Sequence, residues 1–279
     1  MKAYELGQPP GKAQLLDALG RGEPRLDLCA LAIARLVSPE VDDAAALETL
    51  DALGARVERR RSLGPESGPL AAKDGLDALV SVLADEEGFS GDAHTYHSPD
   101  NSSLPRVLER RRGLPITLSV LYAEVGRRAG LAVEGVGLPG HFVARLGGVY
   151  FDPFGGGRRL SRDELEALVA RAQVAFSPKQ LEPVPARAIA WRMINNLKGT
   201  WLQQAETERA LHAVDLLLAM QPDHPAELRL RASLLVDLGA FVAALADLEH
   251  CLELAKDPGD QAGLTRAIEA VRGRIGQLH

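Results

Sequence analysis

GLPGHFVARLGGVYFDPFGGG, residues 137–157, sets two alternating apolar segments on either side of Gly147-Gly148. A Gly-Gly pair between such segments is a two-residue turn signal, so the stretch reads as a β-hairpin. In that register Leu146 faces Val149, Val143 faces Asp152 and His141 faces Phe154. Side chains alternate across a strand, which gathers His141, Val143 and Arg145 with Tyr150, Asp152 and Phe154 on one face. Phe142, Ala144, Leu146, Val149 and Phe151 line the other. His141 and Asp152 become diagonal neighbours, about 7–8 Å apart at the backbone and within side-chain reach. A carboxylate bonded to one imidazole nitrogen fixes the tautomer and raises the basicity of the other, the part a base and its orienter play in nucleophilic catalysis. A structural hydrogen bond across the hairpin is the equal alternative.

Upstream, Gly113-Leu114-Pro115 opens a helix, since proline is tolerated in a first turn, and PITLSVLYAEVGRRAG runs to a stop at Gly130. Ile116, Leu118, Val120, Leu121, Tyr122 and Val125 make that helix largely buried. Further helices are expected over 26–37, 41–63, 69–84 and 104–112, with a polar irregular connection, GFSGDAHTYHSPDNSS, over 88–103. His94 and His97 in that connection have HxxH spacing with Asp92 and Asp100 nearby, but histidines in a polar loop read as solvated; no metal or other cofactor is expected. The glycines after Asp152-Pro153-Phe154 call for positive φ or close backbone approach, and Ser161 with Glu164 forms a capping box for the next helix. This glycine run lacks the Lys-Ser/Thr ending of a phosphate-binding loop.

The Pro-rich segment SPKQLEPVPARA, from Ser177, reads as a boundary, giving one domain over 1–180 and an all-helical one over 181–279. ALHAVDLLLAMQ at Ala210 and ALADLEHCLELA at Ala244 start 34 residues apart, the tetratricopeptide period. A net charge of −6 offers no general attraction for nucleic acid or an anionic membrane. The triplets Arg59–Arg61 and Arg110–Arg112 read as solvated helix ends. Without an apolar run of about 18 residues or an export signal in MKAYELGQPPGK, a cytoplasmic protein is expected. Cys29 and Cys251 sit in apolar helical patterns and read as core packing.

The run NSSLPRVLERRRGLPITLSVLYAEVGRRAGLAVEGVGLPGHFVARLGGVYFDPFGGGRRLS, residues 101–161, resembles the SirB-type branch of the transglutaminase-like superfamily, and WRMINNLKGTW together with the helical region C-terminal to it resembles that family's tetratricopeptide-like tail. The resemblance implies an α+β, papain/transglutaminase-like core of helices and a small antiparallel sheet, followed by the helical tail. It also implies a buried helix carrying a cysteine at its start in active relatives, packed on a sheet that supplies His and Asp. His141 and Asp152 match the sheet positions. The cysteine does not carry over: its place falls at Pro115 or Ile116.

Thr117 and Ser119 lie in the first turns of the same helix, where the macrodipole favours an oxyanion. Helical rotation of about 100° per residue moves both away from the cysteine's slot. Their alternative is ordinary helix filling, with hydroxyls bonded to the preceding turn. Asn101 and Arg112 read either as cleft ligands or as loop anchors. The preferred expectation is a non-catalytic module whose cleft, with His141, Asp152, Arg145 and Tyr150, or whose helical tail binds a protein, peptide or small ligand. The alternative is a cysteine-less hydrolase or acyltransferase, with His141 as base, Asp152 as orienter and Ser119, Thr117 or water as nucleophile.

Overall fold

The structure is a computed structural model that describes residues 7–22, 24–61 and 69–277, with side chains from 73 onward in the last range. Residues 62 and 63, where the second expected helix ends, and the first six residues of the N-terminal segment lie outside the described residues.

Four antiparallel strands form the sheet in the order β3 (Val133–Leu138), β4 (His141–Leu146), β5 (Val149–Asp152), β6 (Arg158–Leu160). Leu146 pairs with Val149, Arg145 with Tyr150 and Ala144 with Phe151, the register that the Gly-Gly turn implies. Gly147 and Gly148 both have positive φ, 55° and 85°, as a tight hairpin turn with this twist requires. β3 completes the other side of β4, with Leu138 opposite His141 and Val136 opposite Val143. The glycine run after Phe154 returns the chain as β6, so that Asp152 pairs with Arg158.

Both faces of this sheet are covered. Phe151 meets Tyr122 of α6 (Pro115–Arg128) with ring centroids 5.7 Å apart. On the opposite face Val136, Leu138, Val143 and Leu160 pack with Leu165 and Val169 of α7 (Arg162–Arg171) and with Leu181. That burial explains why the His141 face is less polar than its sequence implies: Val143 between the two polar residues is fully enclosed. Ser161 and Glu164 close the capping box that starts α7.

α6 is buried along its whole length from Pro115 to Gly126 and ends with Gly130 at φ 71°. Around it pack α2 (Leu26–Ala34), α3 (Asp43–Arg61) and α5 (Leu104–Arg110). Asp27 of α2 is fully buried and is bonded by Arg25 at 2.5 Å and Arg128 at 2.7 Å. Burial raises its pKa, and the two guanidiniums outweigh that, leaving the carboxyl at about 2. A buried carboxylate persists only when so paired.

The 88–103 connection is more ordered than its composition implies. Ser90–Gly91 forms β1, which pairs in parallel with β2 (Arg112–Gly113), and Pro99–Ser102 makes a 3-10 turn. Asp92, Asn101, Ser102 and Ser103 are buried. The second arginine triplet is likewise not a free helix end: Arg110 donates to Asn101 and Asp92, and the Arg111 guanidinium lies over the Phe89 ring.

The chain separates into two compact units, one spanning Ala13–Met193 and the other, among the described residues, 194–277 with 7–12. The division falls inside α8 (Ala186–Gln203), and the expected boundary at 180/181 falls at the 3-10 turn Pro178–Leu181. In the second unit α9 (Thr207–Met220) and α11 (Phe241–Leu254) start 34 residues apart, with α10 (Pro225–Asp237) between them and α12 (Pro258–Gly276) after. Arg231 of α10 bridges Asp215 of α9 at 2.9 Å and Asp247 of α11 at 2.6 Å, fastening three consecutive helices by one side chain.

Candidate functional site

His141 begins β4 and Asp152 ends β5, so the hairpin brings them to the same end of the sheet. Nε2 of His141 lies 3.1 Å from Oδ1 of Asp152. An ionised carboxylate only accepts, so Nε2 is the donor in this bond and Nδ1 is the ring nitrogen left for another partner. Oδ1 also accepts the backbone N–H of Phe154 at 3.0 Å, a local turn that fixes the carboxylate before it meets the imidazole. The two side chains are only 16% and 11% exposed, so the pair is partly desolvated.

Phe154 stands edge-on to His141, centroids 6.1 Å apart, and Tyr96 stands edge-on to Phe154 at 6.1 Å. The connection holding Tyr96 is anchored from below. Asp92 accepts from the hydroxyl and backbone N–H of Thr95 and from the N–H of His94; these bonds, the Thr95 hydroxyl foremost, hold its carboxyl at about 2. Asn101 donates to the carbonyls of Thr95 and Tyr96 at 2.7 and 3.4 Å and accepts from Arg110. Gly91 has no room for a side chain against the Phe154 ring. Asn101 is thus a fully buried anchor for the wall that carries Tyr96, while exposed Arg112 donates to the Gly88 and Arg111 carbonyls.

The other expected site residues are engaged elsewhere. Arg145 pairs with Glu134 across the β3–β4 ladder at 2.8 Å, and the Tyr150 hydroxyl donates to the Leu181 carbonyl at 3.1 Å. Ser119 is buried and donates to the Pro115 carbonyl at 2.8 Å. Thr117 is fully buried with its hydroxyl unpartnered. Cys29 is buried on α2, where burial pushes its thiol up to about 12, and Cys251 is buried on α11. His94 and His97 are exposed, and among the described residues no three His, Cys, Asp or Glu side chains group as a metal site would need.

Arg192 carried no signal at sequence level. Its Nη2 donates to the carbonyls of Leu138 and His141 at 2.9 and 2.7 Å, clasping the turn between β3 and β4. Its guanidinium lies 5.3 Å from the Phe142 ring centroid. The run WRMINNLKGTW marked the segment without revealing a partner more than fifty residues away.

A family model described as the transglutaminase-like superfamily matches residues 44–195, more than half of the chain. The chain belongs to the transglutaminase-like superfamily. A tetratricopeptide repeat model matches residues 197–271 of this superfamily member. The UPF0162 protein of Xylella fastidiosa (strain Temecula1) is 34% identical to it, over 89% of this chain and 88% of that protein. A UPF0162 protein of Pseudomonas aeruginosa is 31% identical over 91% and 93%. The human protein named F-box only protein 21 is 30% identical over 70% of this chain, which spans 34% of that protein. Among solved structures, menin, titled as revealing the binding site for Mixed Lineage Leukemia protein, aligns at a TM-score of 0.41 with 10% identity, covering 94% of this chain and 75% of that one, too remote to carry an argument. The matched residues span both α6 and the hairpin that carries His141 and Asp152.

Proposed function

We propose that this protein is a non-catalytic transglutaminase-like module that binds a protein or peptide partner. One observation carries the reading: the helix that would start with a nucleophile starts with Pro115 and Ile116, and the two hydroxyls of its first turns are enclosed, Ser119 bonded to Pro115 and Thr117 fully buried. A hydroxyl donating into its own helix has no proton to give His141. Both cysteines are buried in helices other than α6. The His141–Asp152 pair then acts as a rigid polar floor, with Tyr96 and Phe154 as an aromatic wall suited to an extended peptide. Tetratricopeptide repeats serve protein contacts in general, which supports a partner for the helical unit too. Among the described residues no helix is long and apolar enough to cross a membrane.

A second reading is favoured by the side of His141 turned away from Asp152: Nδ1, for which no hydrogen bond is found among the described residues, has the arrangement of a general base able to draw a proton from water, as a hydrolase without a side-chain nucleophile requires. The test is turnover of p-nitrophenyl esters and peptide amides by the full chain and by His141→Ala. The binding reading expects both at the buffer background. Turnover above background that disappears in His141→Ala would overturn it in favour of the hydrolase.

A further inference from the structure

A cavity of about 370 Å³ opens where the turn between α2 and α3, together with the first turns of α3, faces α5. No residue of the hairpin lines it, and its size falls within the roughly 300–1,000 Å³ of small-ligand pockets. Val41, Ala46 and Leu108 give it apolar walls, and Glu40, Asp42 and Ser103 line it too.

The charges around it do not balance. Arg106 and Arg111 also line the cavity, but both are taken: Arg106 by Glu109 at 2.6 Å and Asp100 at 3.5 Å, Arg111 by Glu87 at 2.9 Å. The neighbouring Asp43 has Arg35 at 2.9 Å. Among the described residues no cation stands within ion-pair distance of Glu40 or Asp42. Asp42 spends Oδ1 on the Ala45 N–H at 3.0 Å, where it offsets the positive end of the α3 dipole, so Glu40 is the freer charge.

Ser103 is unusual for its position. It stands at the N-cap of α5, where a serine hydroxyl normally accepts an N–H of the first turn, yet it makes no such bond, and Pro105 two residues on has no N–H to give. The residue is only 1% exposed and lines the cavity. A buried hydroxyl without a partner is costly, and none for this one stands among the described residues. The cavity is the space from which a partner can reach it.

We infer that this cavity is a binding site for an ammonium group on a hydrocarbon stem, either a free alkylamine or the side chain of a partner's lysine. The stem lies along Val41, Ala46 and Leu108. The ammonium only donates, and the oxygen atoms lining the cavity accept: the carboxylates of Glu40 and Asp42 and the hydroxyl of Ser103. An anion is the poorer occupant, because the two arginines that would receive it are already neutralised. The site is separate from the His141 cleft and holds whatever that cleft binds.

The test is an NMR titration of the full chain that follows the backbone amides of Ala45, which donates to Asp42, and of Ser103. The probes are pentylamine and N-acetyl-lysine methylamide, with pentanol and N-acetyl-norleucine methylamide as their uncharged counterparts. Saturable shifts are expected with one or both amines, about tenfold weaker with the uncharged partners, as two solvent-facing ion pairs together would give. The tighter amine tells a free alkylamine from a lysine side chain. Glu40→Gln, on the surface, should weaken amine binding about threefold or more. Ser103→Ala should weaken it as well while leaving the melting temperature unchanged, because the hydroxyl caps nothing; Glu40→Gln decides the matter where Ser103→Ala disturbs the fold. Equal binding of amines and uncharged partners would overturn the site, as would the absence of any saturable shift. Amine binding indifferent to Glu40→Gln, or to a normally folded Ser103→Ala, would overturn it too.

Discussion

At the residue scale the decisive atom is Oδ1 of Asp152, which accepts from both His141 and the Phe154 backbone. Replacing Asp152 by Ala leaves two donors without their acceptor in a partly enclosed setting, a cost of roughly 1–3 kcal/mol. Urea denaturation of the full chain should report that loss, and the His141 ring signals should lose the dispersion that a fixed environment gives. An unchanged midpoint would mean that the pair contributes nothing net to folding. The pairing itself was legible in the sequence, because Gly147-Gly148 sets the register and period-two alternation then fixes which side chains meet. Arg192 was illegible for the converse reason. Its partners are main-chain carbonyls of a turn, which any residue supplies, so no side-chain pattern announces the contact.

At the element scale, the segment from Asp92 to Ser102 shows how a polar composition can mislead. Gly, Asp, Ser, Pro and Asn without apolar periodicity read as a solvated connection, but the same polar groups bond one another: Asp92 caps Thr95, and Asn101 closes on Thr95 and Tyr96. Local side-chain to backbone bonds replace a ladder, and they have no periodic signature. The consequence is a pH dependence. Asp92 is lowered from 3.8 to about 2, so its stabilisation of the segment is complete above about pH 4 and is lost as pH falls through about 2. Amide protection at His94 and Thr95, corrected for intrinsic exchange, should fall across that window. Asp27 titrates in the same range and supports the helical core, so the control is Asp92→Asn. In that variant protection at His94 and Thr95 should already be low at neutral pH and stay flat until the whole unit unfolds. A full acid step in Asp92→Asn would assign the effect to Asp27 instead.

At the scale of the whole molecule, each compact unit has its own means of cohesion, and in the helical one Arg231 ties α9, α10 and α11 together. The 34-residue period was legible in two aligned apolar segments, but the side chain that ties them was not, because its partners Asp215 and Asp247 sit on two different helices. Burial raises the pKa of Asp215, with Arg231 opposing, so the arginine is what keeps two enclosed carboxylates compatible. Substituting Met preserves the aliphatic stem and removes the charge, leaving Asp215 and Asp247 facing each other without a cation. Breaking a buried ion cluster by removing one member costs roughly 3 kcal/mol, more than replacing every member with apolar groups would. Arg231→Met should therefore lower the melting of the helical unit, whereas Arg231→Met with Asp215→Leu and Asp247→Leu should recover much of the loss. The His141 imidazole signals serve as the internal reference. If they keep their positions while the helical unit melts early in a thermal scan, the two units hold separate cores; if they collapse in the same step, folding of the His141–Asp152 site depends on the tetratricopeptide-like helices.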